Sequence, residues 1–130
     1  MLGVIILKLS NERLVNSVGV LSKLTNLELP IKLSYAFSKN ITKIDAELKA
    51  YNIEREKLLK KYGEKDEEGN LTQSEDGKVN ILDIENFNKE IAELLQCENE
   101  IDIHLIDLES INSDIKITPG ELMVIDYMFK

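Results

Sequence analysis

A chain of 130 residues that is 43% hydrophobic has enough apolar material for a core, which excludes global disorder; with aromatics at 5% and no Trp, Ile and Leu must carry the burial. One cysteine, Cys97, excludes an internal disulfide and fits a reducing compartment. The net charge of −8 is uneven: residues 1–43 carry six basic side chains against two acidic ones, and the remainder stands at −12, a bulk that argues against direct binding to duplex DNA.

Gly3 to Leu9 (GVIILKL) is short and rich in β-branched residues, the pattern of a strand. Its flanks lack a basic residue before it and a small-residue cleavage site after it, so no signal peptide is expected, and no run approaches the ~18 apolar residues of a membrane span. Ser10 then stands as a helix cap ahead of Leu14, Val18, Leu21 and Leu24, predicting a helix over about 11–25. Pro30 suits the first turn of the next element.

From Ile31 to Tyr62 no glycine or proline intervenes, and Phe37, Ile41, Ile44, Leu48, Tyr51, Leu58 and Tyr62 recur at steps of three and four. This predicts one helix over about 31–62, roughly 48 Å long at 1.5 Å per residue. Arg55 interrupts the apolar stripe and suggests a register-setting polar residue between paired helices. So long a helix needs cover from its own chain, from a second copy, or from both. Gly63 is placed to end it in the left-handed conformation.

Asp76-Gly77 marks a tight turn, with Leu71 to Gln73 and Lys78 to Ile81 as short flanking strands. Asp83 to Phe87 opens a helix over about 84–98, where Cys97 reads as a small buried hydrophobe. Ile101, Ile103 and Leu105 alternate with polar neighbours as in a strand, and Asp114 to Ile117 is a candidate partner for it. Thr118-Pro119-Gly120-Glu121 is a capping box with Pro at the first helical position, starting a helix over about 119–129. The order predicts a helix-dominated α+β protein, one domain over 1–130.

The acidic stretch Tyr62 to Asn70 (YGEKDEEGN) invites a calcium loop starting at Asp66. That frame puts Leu71 where the sharp turn needs glycine and Gly77 where a bidentate glutamate is required, so no metal is expected there. His104 is the only histidine and shares a strand face with Asp102, without a second histidine or a nucleophile elbow nearby in sequence. No GxxxxGK[ST] or GxGxxG occurs, no His or Cys pair has metal-ligand spacing, and no cofactor or catalytic residue is expected.

Two clusters remain as candidate binding residues. Lys32, Tyr35, Lys39 and Lys43 recur every three to four residues, so a helix gathers them into one basic, partly aromatic stripe suited to an acidic partner or a phosphate-bearing ligand. Glu64, Asp66, Glu67, Glu68, Glu75 and Asp76 form an acidic surface suited to protein contact.

ILKLSNERLVNS, LELPIKLS, GEKDEEGN, ILDIENFNKEIAELL and the closing VIDYMF together resemble a family of small phage and prophage proteins of Gram-positive bacteria. In that family a strand ending in Leu-x-Asn precedes a helix, a long helix, an acidic D-[DE]-x-G-N turn and an FNKE helix. Leu9-Ser10-Asn11, Asp66 to Asn70 and Phe87 to Glu90 occupy those places here. This chain departs from it early in the long helix, where SYAFSKN is less basic than the family's pattern. Members carry no assigned function, so the resemblance brings no catalytic residue; it implies a phage product acting in the host bacterial cytoplasm or in the virion.

The expected function is a non-enzymatic inhibitor of a host protein or defence complex, either CRISPR or signalling-based. The alternatives are a morphogenesis or virion component that assembles through the long helix as a homo-oligomer, and a sponge for a nucleotide signal using Lys32, Tyr35 and Lys39.

Overall fold

The computed structural model describes residues 3–112 and 114–130. It is helix-dominated α+β, in the order β1 (Val4–Ser10), α1 (Asn11–Thr25), α2 (Ile31–Tyr62), α3 (Ile84–Gln96), β2 (Glu98–His104) and α4 (Pro119–Val124), with 3-10 turns at Leu108–Ser110 and Asp126–Met128. Two compact units result: Met1–Leu48 with Glu98–Lys130, and Lys49–Cys97. The helix α2 supplies residues to both. Among the described residues no helix is long and apolar enough to cross a membrane.

In the first unit β1 and β2 pair antiparallel, with Val4 opposite His104 and Ser10 opposite Glu98. Alternation sends Leu9, Ile101 and Ile103 to the buried face and leaves Val4 and Ile6 48% and 70% exposed. Among the described residues no third strand lies beside β1. Ser10 caps α1 as its side chain accepts the Arg13 amide at 3.2 Å, and Leu14, Leu21 and Leu24 face inward. Leu33, Phe37, Ile44 and Leu48 of α2 are buried as well, as are Ile106, Ile115, Ile125 and Met128. Each such side chain contributes about 1.5–3 kcal/mol on leaving water. Phe37 and Phe129 meet edge to face, with centroids 6.3 Å apart.

The three buried polar side chains of this unit all have partners. Asn11 accepts from Asn99 Nδ2 at 2.9 Å. Ser17 donates to the Arg13 carbonyl and accepts the Tyr127 hydroxyl at 2.6 Å, and burial pushes the Tyr127 phenol pKa up. Asn40, fully buried in α2, donates from Nδ2 to the His104 carbonyl at 3.0 Å and accepts the His104 amide at 2.8 Å. Because the Leu105 amide donates to the Gly3 carbonyl, antiparallel alternation turns the main-chain groups of His104 away from β1. At the outer edge of β2, Asn40 therefore satisfies His104 as a residue of a third strand would.

The apolar stripe of α2 thus runs Leu33, Phe37, Asn40, Ile44, Leu48, while Ile41 and Tyr51 are half-buried and Arg55 is exposed. The polar residue that fixes α2 in this chain is Asn40, and Arg55 lies in solvent. The Asp114–Ile117 segment does not pair with β2; instead the C-terminus returns beside Ile106, whose amide donates to the Met128 carbonyl at 2.7 Å. The capping box at Thr118 and Glu121 forms as expected, but α4 ends at Val124 and the chain continues as the 3-10 turn Asp126–Met128.

In the second unit, residues 63–82 fold into two successive antiparallel turns on a short ladder bridged at Gly63–Ile81, Lys65–Leu71 and Gln73–Val79. The Thr72 amide donates to the Glu64 carbonyl and the Asn80 amide to the Thr72 carbonyl, so 72 is shared by both turns. Gly69 and Gly77 take positive φ at the two tips. Gly63 does not, contrary to expectation. It is required for closeness: a Cβ there would collide with the Leu59 carbonyl oxygen and Leu71 Cδ2 and crowd Val79. The helix α3 is capped by Asp83, which accepts the Asn86 amide at 3.2 Å, and ends at Gln96 rather than 98, since Glu98 belongs to β2. Tyr62 and Phe87 pack edge to face at 6.2 Å. Cys97, expected to be buried, is exposed: it is the extended residue that follows the last turn of α3.

Removing the Asn40 amide strands two main-chain groups, so Asn40→Ala is expected to cost about 1–3 kcal/mol, read as a lower urea midpoint, with Asn40→Asp at least as costly at neutral pH because its carboxylate has no donor for the His104 carbonyl and buries a charge. Gly63→Ala is expected to cost about 1–3 kcal/mol by overpacking. In hydrogen exchange it speeds the amides of Thr72 and Asn80 and leaves those of β2 unchanged.

Candidate functional site

The first two turns of α2 and the chain leaving β2 enclose a cavity of about 480 Å³ in the first unit. One wall is Pro30, Lys32, Leu33, Tyr35 and Ala36; the other runs from His104 through Ile106 to Asp107 and Ser110. Two placements create it. Pro30 starts the helix, its carbonyl accepting the Ser34 amide at 3.0 Å, and the Asn40–His104 pair sets the distance between helix and strand.

Of the basic stripe, Lys32 and Tyr35 line this cavity, and Lys39 Nζ lies over the Tyr35 ring at 5.3 Å from its centroid. Lys43 lines a second depression of about 290 Å³ with Ile6, Glu47, Glu100, Ile101 and Asp102. Both Lys39 and Lys43 act on His104, whose pKa is lowered first by burial and then by their charges, so the imidazole is neutral at pH 7. The ion pairs recorded among the described residues are Arg13–Asp126, Lys23–Glu121, Lys57–Glu54 and Lys61–Glu90, and none uses Lys32, Lys39 or Lys43. The first turn of α2 also has no acidic residue, so the positive end of its dipole adds to these charges.

His104, Asp107 and Ser110 have the residue types of a hydrolytic triad but a different bonding pattern. Ser110 Oγ donates to the Asp107 carbonyl at 2.5 Å, and the Asp107 carboxylate accepts the Glu109 amide at 3.0 Å, capping the 3-10 turn. Both groups are committed to the local turn, and neither bond runs to the imidazole. The arrangement is suited to holding a ligand by charge, a donor ring and an apolar floor.

The acidic candidates fall in the second unit, all exposed on the two turns of the 63–82 ladder. They divide into two roles. The Asp66 carboxylate accepts the amides of Glu68 and Asn70 at 2.9 and 3.0 Å, holding the first turn. Asp76 does the same in the second turn with the Ser74 hydroxyl and the Lys78 amide, and these bonds lower its pKa. Glu64, Glu67, Glu68 and Glu75 project from this framework.

Sequence reasoning found one wall of the cavity and missed the other. Lys32 and Tyr35 stood out by helical spacing, whereas His104, Asp107 and Ser110 join them only through pairing across about seventy residues of chain. Asn40 was the available signal, since it occupies an apolar position in the period 33, 37, 40, 44, 48. No family model matches the chain, and none of the curated proteins or solved structures compared with it matches.

Proposed function

We propose that this is a phage-encoded, non-enzymatic binding protein that acts in the host bacterial cytoplasm by inhibiting a host factor. The target class is a defence complex, CRISPR or signalling-based, with a basic surface. The observation that carries the reading is the display of Glu64, Glu67, Glu68 and Glu75 on a hydrogen-bonded ladder. An ordered acidic surface is complementary to a basic nucleic-acid channel and competes for it, accelerating encounter by long-range attraction. The resemblance to phage proteins supports the setting.

A second reading is a morphogenesis or virion component that assembles as a homo-oligomer through the long helix. It is favoured by the incomplete cover of the second unit. Phe87, Ile91, Leu94 and Leu95 form the apolar face of α3 and are only half-buried, no residue of α3 is fully buried, and Ile53, Leu82 and Ile84 are exposed. Apolar surface of this kind on a small unit is commonly covered by another chain.

Neutralising Glu64, Glu67, Glu68 and Glu75 to Gln, with Asp66 and Asp76 kept to preserve the turns, is expected to lower capture of the host partner from infected lysate about tenfold or more. Undiminished capture and inhibition would sink the acidic-surface reading. Mass spectrometry of purified particles separates the two classes: an inhibitor is absent from virions, and a stoichiometric band with oligomers in light scattering establishes the structural component.

A further inference from the structure

We propose that the cavity between the start of α2 and the 104–110 segment is a binding site for a small aromatic anion, a ligand with a planar apolar body and a phosphate or carboxylate group. Its volume, about 480 Å³, lies within the roughly 300–1,000 Å³ usual for small-molecule sites. Leu33, Ala36 and Ile106 give it an apolar lining, and Tyr35, 58% exposed, offers a ring face at its mouth.

Charge selects the sign of the ligand. In a chain of net charge −8, Lys32 lines this cavity and Lys39 lies over the ring of Tyr35 in its wall, with Lys43 in the second depression; none of the three is in an ion pair among the described residues. An ordinary solvated helix face of so acidic a protein would more readily interleave them with acids. The one carboxylate in the lining, Asp107, is turned into the 3-10 turn by the Glu109 amide. A neutral His104 imidazole adds a ring donor, and Lys32 and Lys39 supply charge-assisted bonds to an oxyanion. The same ligand offers its ring to the apolar lining, which a bare inorganic ion lacks.

His104 is also the reporter. As the only histidine it gives one set of imidazole resonances. The groups around it are Lys39 and Lys43 on α2, Asp102 next along its face of β2, Asp107 beyond the strand, and apolar Val4 opposite on β1. An anion bound among the lysines offsets their repulsion of a proton and moves the imidazole pKa upward from its depressed position.

The test is a titration of the full chain, followed by the His104 resonances, with phenyl phosphate, adenosine monophosphate and inorganic phosphate. Phenyl phosphate or adenosine monophosphate is expected to give a saturable shift at about millimolar Kd or tighter. Lys32→Gln with Lys39→Gln weakens it about fivefold or more, through the loss of their charge-assisted contacts. Ala36→Trp, filling the cavity, abolishes it. Inorganic phosphate is expected to give no saturation in the same range. Three results overturn the site: no saturable shift with either aromatic probe, a shift unchanged in the lysine double variant, or inorganic phosphate binding as well as the aromatic probes. The lysine positions are on the surface, so that variant reads the site even where Ala36→Trp disturbs folding. Because the readout is the imidazole and not partner capture, this site stands or fails separately from the acidic turns.

Discussion

A buried asparagine side chain that hydrogen-bonds both main-chain groups of one strand residue couples two elements more tightly than apolar contact does. Hydrophobic packing is non-directional and tolerates sliding, whereas Asn40 satisfies His104 at a single relative position of helix and strand. The core residues Phe37 and Ile44 flank it on α2, and Ile103 precedes its partner on β2, so the surrounding packing is keyed to that position. The depth of the neighbouring cavity follows, since both its walls leave from this junction. The polar bond sets the alignment and the apolar contacts supply most of the stabilisation around it.

The same division between framework and display appears in the second unit. Of six acids on the 63–82 ladder, Asp66 and Asp76 are consumed in holding turns. The longer glutamates reach away from the backbone. Aspartate's short side chain bonds its own backbone two residues on, which glutamate does poorly. A composition that looks uniformly acidic therefore separates by side-chain length into residues that shape the loop and residues that face solvent.

Helix starts were legible because their chemistry is local. Ser10 and Thr118 cap through bonds three residues on, Pro30 opens α2, and the absence of glycine from 31 to 62 keeps it continuous. Features that depend on distant neighbours were not. Asn40 reads as polar and hence as surface until a strand edge is known to face it. Gly63 reads as a left-handed helix stop, while its actual requirement comes from Leu71 and Val79 closing over it. Cys97 follows an apolar helix face and so reads as interior, but it lies one residue past the last turn, where the exposed extended chain begins. Half of the cavity was legible for the same reason: a helical stripe is a short-range pattern, and its facing wall is not.

The capped edge of β2 also limits how the sheet can grow. Backbone pairing is a template that propagates when both edges of a sheet are open, and that is the route to fibres. Here a side chain from α2 occupies the outer edge of β2 at His104, while Val4 and Ile6 of β1 are exposed. A side chain bonded at that position leaves the His104 main chain nothing to offer an incoming strand, so the template is interrupted there.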